Sequence, residues 1–267
     1  MTTVAVIGAS SGIGLACAVH LAHRGYHVFG TSRRPPPGQV PFEFVAMDVT
    51  SEASVEHALA VILARAGQLD AIVHSAGIGF AGAIEDTSVA EAQQQFDTNF
   101  FGAHRVLRAA LPALRASRGR VIIISSIGGA IALPFQGIYC ASKFALEGLG
   151  EALSHELHGS GIRVVLVQPG DFHTGFTDAR TMVRASGDAS IYQHQLERSL
   201  AVMIADERRG PDPRDVARVV EHALRVARPQ LRYPVGMPLQ RWSIVLKHLL
   251  PWRLFAAILR MIYKIRG

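Results

Sequence analysis

The sequence lacks the features on which several large protein classes depend. Only two of its 267 residues are cysteine, and Cys17 and Cys140 form neither a disulfide framework nor a metal-ligand spacing, so we expect a reducing, cytoplasmic location. No window approaches about 18 uncharged apolar residues, which predicts that no helix spans a membrane. Gly8 and Gly12 interrupt the first apolar run, and this pattern predicts no signal peptide. With 18% charged and 49% hydrophobic residues, the chain is expected to fold around a sizeable core.

Acidic residues are absent from residues 241–267, although the whole chain holds 21 of them. This segment contains both tryptophans and six of the 27 bases, so the first 240 residues balance 21 bases against 21 acids. The bases of the segment are Arg241, Lys247, Arg253, Arg260, Lys264 and Arg266. Because nucleic-acid-binding proteins usually cluster bases on their folded domain, the neutral body predicts no nucleic-acid partner.

Short β-branched runs alternate with longer helical patterns along the chain. Strands are predicted at Thr3–Ile7, His27–Thr31, Phe42–Ala46, Ala71–His74, Arg120–Ser125, Arg163–Gln168 and Leu231–Val235. Helices are predicted at Gly12–Arg24, Ser51–Ala66, Ser88–Leu114, Tyr139–His158, Ile191–Ile204 and Asp212–Val226, and a loop at Gly175–Asp188. This alternation predicts an α/β fold, a single doubly wound (Rossmann) domain with a mainly parallel central sheet. We expect the domain to span residues 1–240, with a helical lid at about 175–210 and residues 241–267 as its amphipathic, basic extension.

A glycine-rich loop, Gly8-Ala9-Ser10-Ser11-Gly12-Ile13-Gly14, joins the first predicted strand to the first helix. Glycine lets the backbone turn sharply and approach a ligand closely, and the N-terminus of the following helix attracts anions. A tight packing turn would use the same residues. The position in the first strand–helix unit nevertheless favours a dinucleotide site. Its predicted contacts are Gly8, Ser10, Ser11, Gly12, Ile13 and Gly14.

The end of the second strand indicates which dinucleotide is bound. Sites that prefer NAD place an acid there for the ribose 2′-hydroxyl, whereas an arginine accommodates a 2′-phosphate. This chain has Ser32, Arg33 and Arg34 at that point and no acid. A solvated basic turn is the alternative interpretation. We predict a preference for NADP(H), with NAD(H) as a second cofactor.

Tyr139 and Lys143 lie four residues apart in a predicted helix, so their side chains share one helix face. A tyrosine with a pKa of about 10 relays protons poorly at neutral pH unless a nearby cation stabilises its phenolate. Lys143 would supply that cation and lower the tyrosine pKa. Of the 27 bases, 24 are arginine, and Lys143 is the sole lysine of the first 240 residues. The pair predicts a general acid–base site.

In the order of its motifs, the sequence resembles the short-chain dehydrogenases/reductases over roughly residues 1–235. The shared motifs are the glycine loop, His74-Ser75-Ala76-Gly77, Asn99, Ser126, the Tyr139/Lys143 pair and Pro169-Gly170. Two positions depart from the family pattern. Ile7 replaces its usual threonine, and His74-Ser75 replaces a pair of asparagines.

The resemblance implies roles for particular residues. The implied catalytic residues are Asn99, Ser126, Tyr139 and Lys143. Tyr139 is the implied general acid–base, Ser126 holds the carbonyl oxygen, and Lys143 also binds the nicotinamide ribose. The implied further cofactor contacts are Asp48, Val49, Ser75, Ala76, Gly77, Tyr139, Lys143, Pro169, Gly170 and Thr174. Asp48 would alternatively cap the helix that begins near residue 51.

These features predict an oxidoreductase that transfers a hydride between NADP(H) and a carbonyl or secondary alcohol of a small to medium, hydrophobic substrate. The alternatives are an NAD(P)-dependent alcohol dehydrogenase of steroid- or retinol-like lipids and a non-catalytic cofactor-binding regulator. The family resemblance implies a homodimer or homotetramer, and the twelve histidines predict no metal site. The expected pocket combines residues 78–82 and 127–135 with Phe172, Met182, Ile191, Tyr192, Leu196, Met203 and Ile204. His173 either contacts the substrate or is a solvated loop residue.

The C-terminal segment has an amphipathic pattern. On a helical wheel over residues 252–264, Arg253, Arg260 and Lys264 form a narrow stripe opposite an apolar arc. This pattern is typical of a helix at a membrane interface, and equally of one docked on its own domain, on a sister subunit or over the substrate entrance. The sequence therefore leaves peripheral membrane contact through residues 252–265 and docking on protein as alternatives.

Overall fold

The computed structural model describes residues 1–265. Its strands are β1 (Thr3–Ile7), β2 (His27–Ser32), β3 (Glu43–Ala46), β4 (Ala71–His74), β5 (Phe80–Ala81), β6 (Arg120–Ile124), β7 (Arg163–Pro169), β8 (Thr181–Met182) and β9 (Arg232–Val235). Its helices are α1 (Gly12–His23), α2 (Glu52–Ala66), α3 (Val89–Phe96), α4 (Gly102–Ser117), α5 (Gly137–Glu156), α6 (Phe176–Ala179), α7 (Gln193–Arg209), α8 (Arg214–Arg225), α9 (Pro238–Leu249) and α10 (Trp252–Ile262). A π-helical turn lies at Asp97–Phe101 and a 3-10 turn at Ile127–Gly129.

Seven strands form one parallel sheet in the order β3-β2-β1-β4-β6-β7-β9. In register, Thr3 of β1 lies opposite His27 of β2, and Val4 lies opposite Ala71 of β4. All five residues of β1 are buried, because helices cover both faces of the sheet. The sheet confirms the predicted fold class. Its strand order reverses direction between β1 and β4, the position at which doubly wound sheets bind ligands.

Two apolar layers lie on opposite faces of the sheet. Ile72 and Ile123 pack with α2, α4 and α5 in one layer. Val73 and Ile122, their neighbours in sequence, pack with α1 and α8 in the other layer. Successive residues of a strand point to opposite faces, so an uninterrupted apolar strand supplies both layers. This packing holds the carboxyl ends of the strands at one edge.

Local signals explain several helix boundaries. The Ser51 hydroxyl accepts a hydrogen bond of 3.3 Å from the backbone nitrogen of Ser54 and starts α2. Gly67, with φ of 74°, ends that helix in the left-handed conformation that glycine tolerates. Ser88 and Glu91 form a capping box at the start of α3.

The structure divides the helix predicted at 88–114. After α3 ends at Phe96, the π-helical turn precedes α4, which continues to Ser117. Such turns insert one extra residue into a helix and occur often at functional sites. Asn99 lies within this turn and is fully buried. The loop predicted at 175–188 also contains structure, since α6 and β8 lie within it and Thr181 pairs with Phe80 of β5.

The C-terminal segment begins earlier than the sequence predicts. Helix α9 starts at Pro238 and was not predicted, whereas α10 starts at Trp252 as expected. Arg266, which belongs to the predicted basic extension, lies outside the described residues. Within residues 1–265 no helix combines the length and apolar character that crossing a membrane requires.

Candidate active site

The carboxyl ends of the central strands border a cavity of about 800 Å³. All of the predicted cofactor contacts line it, namely Gly8, Ser10, Ser11, Gly12, Ile13, Gly14, Ser32, Arg33, Arg34, Asp48, Val49, Ser75, Ala76, Gly77, Tyr139, Lys143, Pro169, Gly170 and Thr174. Of the predicted catalytic residues, Ser126, Tyr139 and Lys143 line the same cavity, whereas Asn99 lies behind its surface. We call the part formed by residues 8, 10–14, 32–34, 48–49, 75–77, 169–170 and 174 the nucleotide wall.

The glycine loop requires glycine for reasons of geometry. Gly8 and Gly12 have φ of 87° and 54°, in the left-handed region. A Cβ atom on Gly8 would lie 2.7 Å from the backbone nitrogen of Ala76, and one on Gly14 would lie 2.1 Å from the Gly8 carbonyl oxygen. The loop therefore packs directly against the end of β4 and presents its backbone, with the N-terminus of α1, to the cavity. This cradle fits a dinucleotide pyrophosphate.

Two arginines lie at the rim beyond β2. Arg33 and Arg34 are exposed and line the cavity, with Asp48 on the neighbouring strand end. Hydrogen bonds from the backbone and the hydroxyl of Thr50, at 2.9 and 2.8 Å, hold the pKa of Asp48 below its usual range, and Arg33 adds to this. Asp48 is therefore a carboxylate that accepts hydrogen bonds, and the cap of α2 is Ser51 instead.

Ser126, Tyr139 and Lys143 meet beyond the end of β6. The Ser126 hydroxyl accepts a hydrogen bond of 3.0 Å from the backbone nitrogen of Gly128 and is also hydrogen-bonded to the Tyr139 phenol. The Lys143 Nζ atom lies 5.9 Å from the centroid of the Tyr139 ring and donates to the Ile124 carbonyl at 3.0 Å. One face of α5 thus brings a phenol and an amine to the hydroxyl that follows β6.

Burial controls the protonation of this group. It raises the pKa of the Tyr139 phenol above its ordinary value, and the hydrogen bond with Ser126 opposes this only in part. Burial also lowers the pKa of Lys143 from 10.5 to about 8, against the opposing effect of Glu147. The structure therefore differs from the predicted depression of the tyrosine pKa, because desolvation of the phenolate dominates. Tyr139 keeps its proton at neutral pH, as a proton donor must.

Asn99 contributes through its neighbours rather than by lining the cavity. Its Nδ2 atom donates to the Ile78 carbonyl at 3.0 Å and to the Ser142 hydroxyl at 3.1 Å, and its Oδ1 atom accepts from the Ile78 nitrogen at 2.8 Å. A Cβ atom on Gly77 would lie 3.3 Å from this Oδ1 and 3.9 Å from the Nζ of Lys143. Asn99 therefore joins the end of β4 to α5 directly behind Lys143.

His74, one of the two departures from the family pattern, is buried at the end of β4. Its Nε2 atom has no hydrogen-bond partner within residues 1–265. Burial and the nearby Lys143 lower the pKa of His74 to about 3. The imidazole is thus neutral at physiological pH and adds no second charge beside Lys143.

The segment after β7 is held by α9. The Gln240 side chain accepts a hydrogen bond of 3.1 Å from the Asp171 nitrogen and donates to the Asp171 carboxylate. A Cβ atom on Gly170 would lie 2.1 Å from the Gln240 Oε1 atom, so glycine leaves the space that Gln240 fills. Thr174 packs over the glycine loop, 3.5 Å from where a Cβ atom of Gly12 would lie. Gln240 is a supporting residue that no local sequence signal identified.

A second part of the cavity forms what we call the substrate wall. Its residues are Ile78, Ile127, Leu133, Gln136, Phe172, Phe176, Met203, Glu207 and Tyr263, with Asp171 at the junction between the two walls. Of the lid residues predicted to line it, Met203 does so. Met182 and Ile191 are instead 44% and 84% exposed, Leu196 lies in the core, and neither Tyr192 nor Ile204 lines the cavity. His173 is exposed and does not line the cavity either.

Acidic side chains add polarity that the apolar lid prediction missed. Burial, Glu207 and Asp206 raise the pKa of Asp171 to about 7. Glu207 forms a buried ion pair with Arg180 and accepts a hydrogen bond of 2.7 Å from the Thr177 hydroxyl. No sequence motif includes Glu207, because its contacts with Thr177 and Arg180 form only after α6 and α7 pack together.

Helix α10 is docked on its own domain. Phe255 is 4% exposed, and Tyr263 packs against a small core cluster that includes Leu196 and Met203. Part of the apolar arc therefore faces protein, whereas Leu254, Met261 and Ile262 are exposed together with Arg253, Arg260 and Lys264. Of the alternatives left open by the sequence, the structure shows docking beside the substrate wall.

Comparison with known proteins agrees with this arrangement. A sequence model described as "short chain dehydrogenase" matches residues 2–184. The 3-ketodihydrosphingosine reductase of Bacteroides thetaiotaomicron is 40% identical over 264 residues, which cover 98% of each chain. Bovine retinol dehydrogenase 8 is 35% identical over 86% of this chain and 80% of its own. The structure of a single-residue variant of actinorhodin polyketide ketoreductase with NADPH matches with a TM-score of 0.72 and 27% identity, over 88% of this chain and 95% of that one.

Proposed function

Because the chain belongs to the short-chain dehydrogenase family and is therefore an oxidoreductase, we propose that it reduces the carbonyl group of a small to medium, hydrophobic substrate with NADPH. The observation that carries this proposal is one cavity that holds the Ser126–Tyr139–Lys143 group together with two exposed arginines, Arg33 and Arg34. A non-catalytic regulator would have no use for a proton donor beside a dinucleotide cradle.

The nucleotide wall supplies the contacts that a nicotinamide dinucleotide needs. The backbone of Gly8, Gly12 and Gly14 would hold the pyrophosphate, and Arg33 with Arg34 would hold a ribose 2′-phosphate. Asp48 and Val49 would contact the adenine, Pro169, Gly170 and Thr174 the carboxamide. When bound, the cofactor supplies or accepts the hydride.

Tyr139, Ser126 and Lys143 would carry the proton chemistry. Ser126 would donate a hydrogen bond to the carbonyl oxygen, and this bond strengthens as negative charge develops there. Tyr139 would transfer its proton to the same oxygen, since a phenol is protonated at neutral pH. Lys143 would replenish that proton and hydrogen-bond the ribose. Asn99 would act as a positioning residue behind Lys143.

One observation favours the reductive direction. The relative that matches over 98% of the chain is named a reductase. Retinol dehydrogenase 8 also matches most of the chain, so oxidation of a lipid alcohol is the second candidate. A panel of carbonyls with NADPH and alcohols with NADP would decide between them. Faster alcohol oxidation across the panel at neutral pH would reverse our assignment.

The cofactor preference is tested by Arg33→Ala/Arg34→Ala. Charge-assisted hydrogen bonds contribute about 1.5–3 kcal/mol each, so we expect kcat/KM with NADPH to fall about tenfold or more while that with NADH changes little. Arg115→Ala/Arg228→Ala, which removes two exposed arginines outside the cavity, is the matched control. A wild-type enzyme that uses NADH as well as NADPH would contradict the proposed preference.

We further propose that the enzyme is a cytoplasmic homodimer or homotetramer. Two large apolar side chains, Phe101 beside α4 and Phe144 on α5, are 49% and 39% exposed, which suits an interface on these helices. Phe101→Ser is expected to shift the oligomer towards monomer in sedimentation velocity. An unchanged sedimentation coefficient would place any interface elsewhere.

A further inference from the structure

The C-terminal helices present a large set of exposed apolar side chains. Trp242, Leu249 and Trp252 are 63%, 73% and 69% exposed. The full set is Leu239, Trp242, Val245, Leu249, Trp252, Leu254, Met261 and Ile262. Single exposed apolar residues are ordinary, but a concentration of this kind on one short segment marks an interaction surface.

Exposed bases accompany these apolar residues. They are Arg241, Arg253, Arg260 and Lys264. No acidic residue occurs between positions 241 and 267 to neutralise them. On α9 the exposed apolar residues lie within about one third of the helix circumference, with Arg241 at its border, as a spacing of about 100° per residue requires. On α10 the basic stripe points outward, with Leu254 and Met261 beside it, whereas the same spacing puts Ile262 on the opposite side. We call the other eleven exposed residues the C-terminal face.

Docking of α10 on its own domain does not account for this face. The docked side of the segment uses other residues, including the buried Phe255, the cavity-lining Tyr263 and Gln240. Lys247, the remaining base of α9, donates to the Ala130 carbonyl and lies 4.9 Å from the ring centroid of Phe144. The C-terminal segment thus contacts the domain at several points, while the exposed apolar side chains of α9 and α10 have no part in these contacts.

We propose that the C-terminal face binds the surface of an anionic lipid bilayer. Tryptophan and leucine enter the boundary between headgroups and acyl chains, and exposed bases attract anionic headgroups. A second copy of the chain fits the same face poorly. A two-fold interface would bring the four bases of each copy against those of the other with no acid between them. Charge complementarity therefore selects the lipid.

Binding in this way would place the active site beside the membrane. Helix α10 carries the basic stripe on its outer side, and Tyr263, directly after its end, lines the substrate wall. A hydrophobic substrate dissolved in the bilayer would then lie close to the cavity. This consequence rests on the proposed function, whereas the binding of lipid does not.

Sedimentation of the full-length protein with vesicles tests the proposal. We expect it to pellet with vesicles of phosphatidylcholine and phosphatidylglycerol, to remain in the supernatant with phosphatidylcholine alone, and to dissociate as salt is raised. Because each base near an anionic surface changes partitioning about fivefold, Arg253→Gln/Arg260→Gln/Lys264→Gln should weaken binding about 100-fold. Trp242→Ser/Leu249→Ser should weaken it independently of salt.

A matched variant separates a local effect from the loss of net charge. Arg115→Gln/Arg163→Gln/Arg228→Gln removes three exposed arginines outside the C-terminal face and should keep its binding. Reduction of a water-soluble carbonyl should be unchanged in all three variants, so inactive protein would count against the proposed function alone. The membrane proposal is overturned if wild-type protein stays in the supernatant with anionic vesicles, or if the matched variant loses as much binding. It is equally overturned if Trp242→Ser/Leu249→Ser dissociates an oligomer without changing vesicle binding, because the face would then hold a second copy.

Discussion

The nucleotide wall and the substrate wall of one cavity are built by different means. Backbone atoms and glycines form much of the nucleotide wall, at the carboxyl ends of adjacent parallel strands. Side chains from the segments that follow β4, β6 and β7, from α6 and α7, and from the end of the chain form the substrate wall. The family model reaches residue 184 and therefore includes the first wall but not Met203, Glu207 or Tyr263. The family model thus covers the backbone cradle completely and the substrate wall only in part.

Removal of the phenol hydroxyl where the two walls meet should have the largest effect. Tyr139→Phe retains the ring that packs 5.8 Å from the Phe176 ring but cannot donate a proton. We expect turnover to fall about 10²- to 10⁴-fold with NADPH binding retained, measured by steady-state kinetics and by cofactor fluorescence. Substantial residual turnover would refute the role of Tyr139 as the proton donor.

Replacement of His74, which lies behind the nucleotide wall, should alter how the free energy of unfolding depends on pH. The pKa of buried His74 is about 3 in the folded protein against 6.5 in the unfolded chain, so the unfolded state binds more protons between these values. Stability is therefore lost as pH falls through this range. Relative to His74→Asn, the wild-type protein should lose about 3 kcal/mol more between about pH 7 and pH 4.

Urea unfolding at several pH values measures this difference. His57→Asn, a change of an exposed histidine, is the matched control. Its free energy of unfolding should depend on pH with the same slope as that of the wild-type protein. Equal slopes for the wild-type protein and His74→Asn would show that His74 is not held neutral in the fold.

The smallest effect is expected on the substrate wall. Tyr263→Leu would remove a contact between an aromatic ring and the bound substrate that contributes about 1 kcal/mol. The KM for the carbonyl substrate should therefore rise about fivefold, while the KM for NADPH stays unchanged. Met261→Leu, at an exposed position of the same segment, is the control. A parallel rise in both KM values would show that the C-terminal segment supports the whole cavity and does not act on one wall alone.

The order of the seven strands of the central sheet and of most long helices could be predicted, because each depends on a local pattern; α6, α9, β5 and β8 were not predicted. The buried strands are continuous β-branched runs, and Ser51, Gly67 and Ser88 mark helix ends through their own hydrogen bonds or φ angles. The π-helical turn at Asn99 has no comparable local signal. Its helical residues continue the pattern on either side, and the inserted residue is recognised only from the backbone.

The residues of the substrate wall could not be predicted for a related reason. Amphipathicity predicted that α10 buries one side, but many surfaces satisfy an apolar face equally well. Met182 and Ile191 are apolar, belong to the expected lid and are nevertheless exposed. Glu207 and Tyr263 line the cavity although neither belongs to a motif. Hydrophobicity predicts on average that a side chain is buried, but it does not identify the residues against which that side chain packs.

By itself the sequence determined the α/β class, the dinucleotide loop and the pairing of Tyr139 with Lys143, because glycine geometry and helix periodicity act over a few residues. It also placed the whole charge excess in residues 241–267. Only the tertiary structure decided that Gln240 fastens the segment after β7, that Tyr263 closes the substrate wall, and that the bases of α10 face outward. These contacts join residues far apart in the chain, and their free energy depends on which surfaces meet once the sheet has formed.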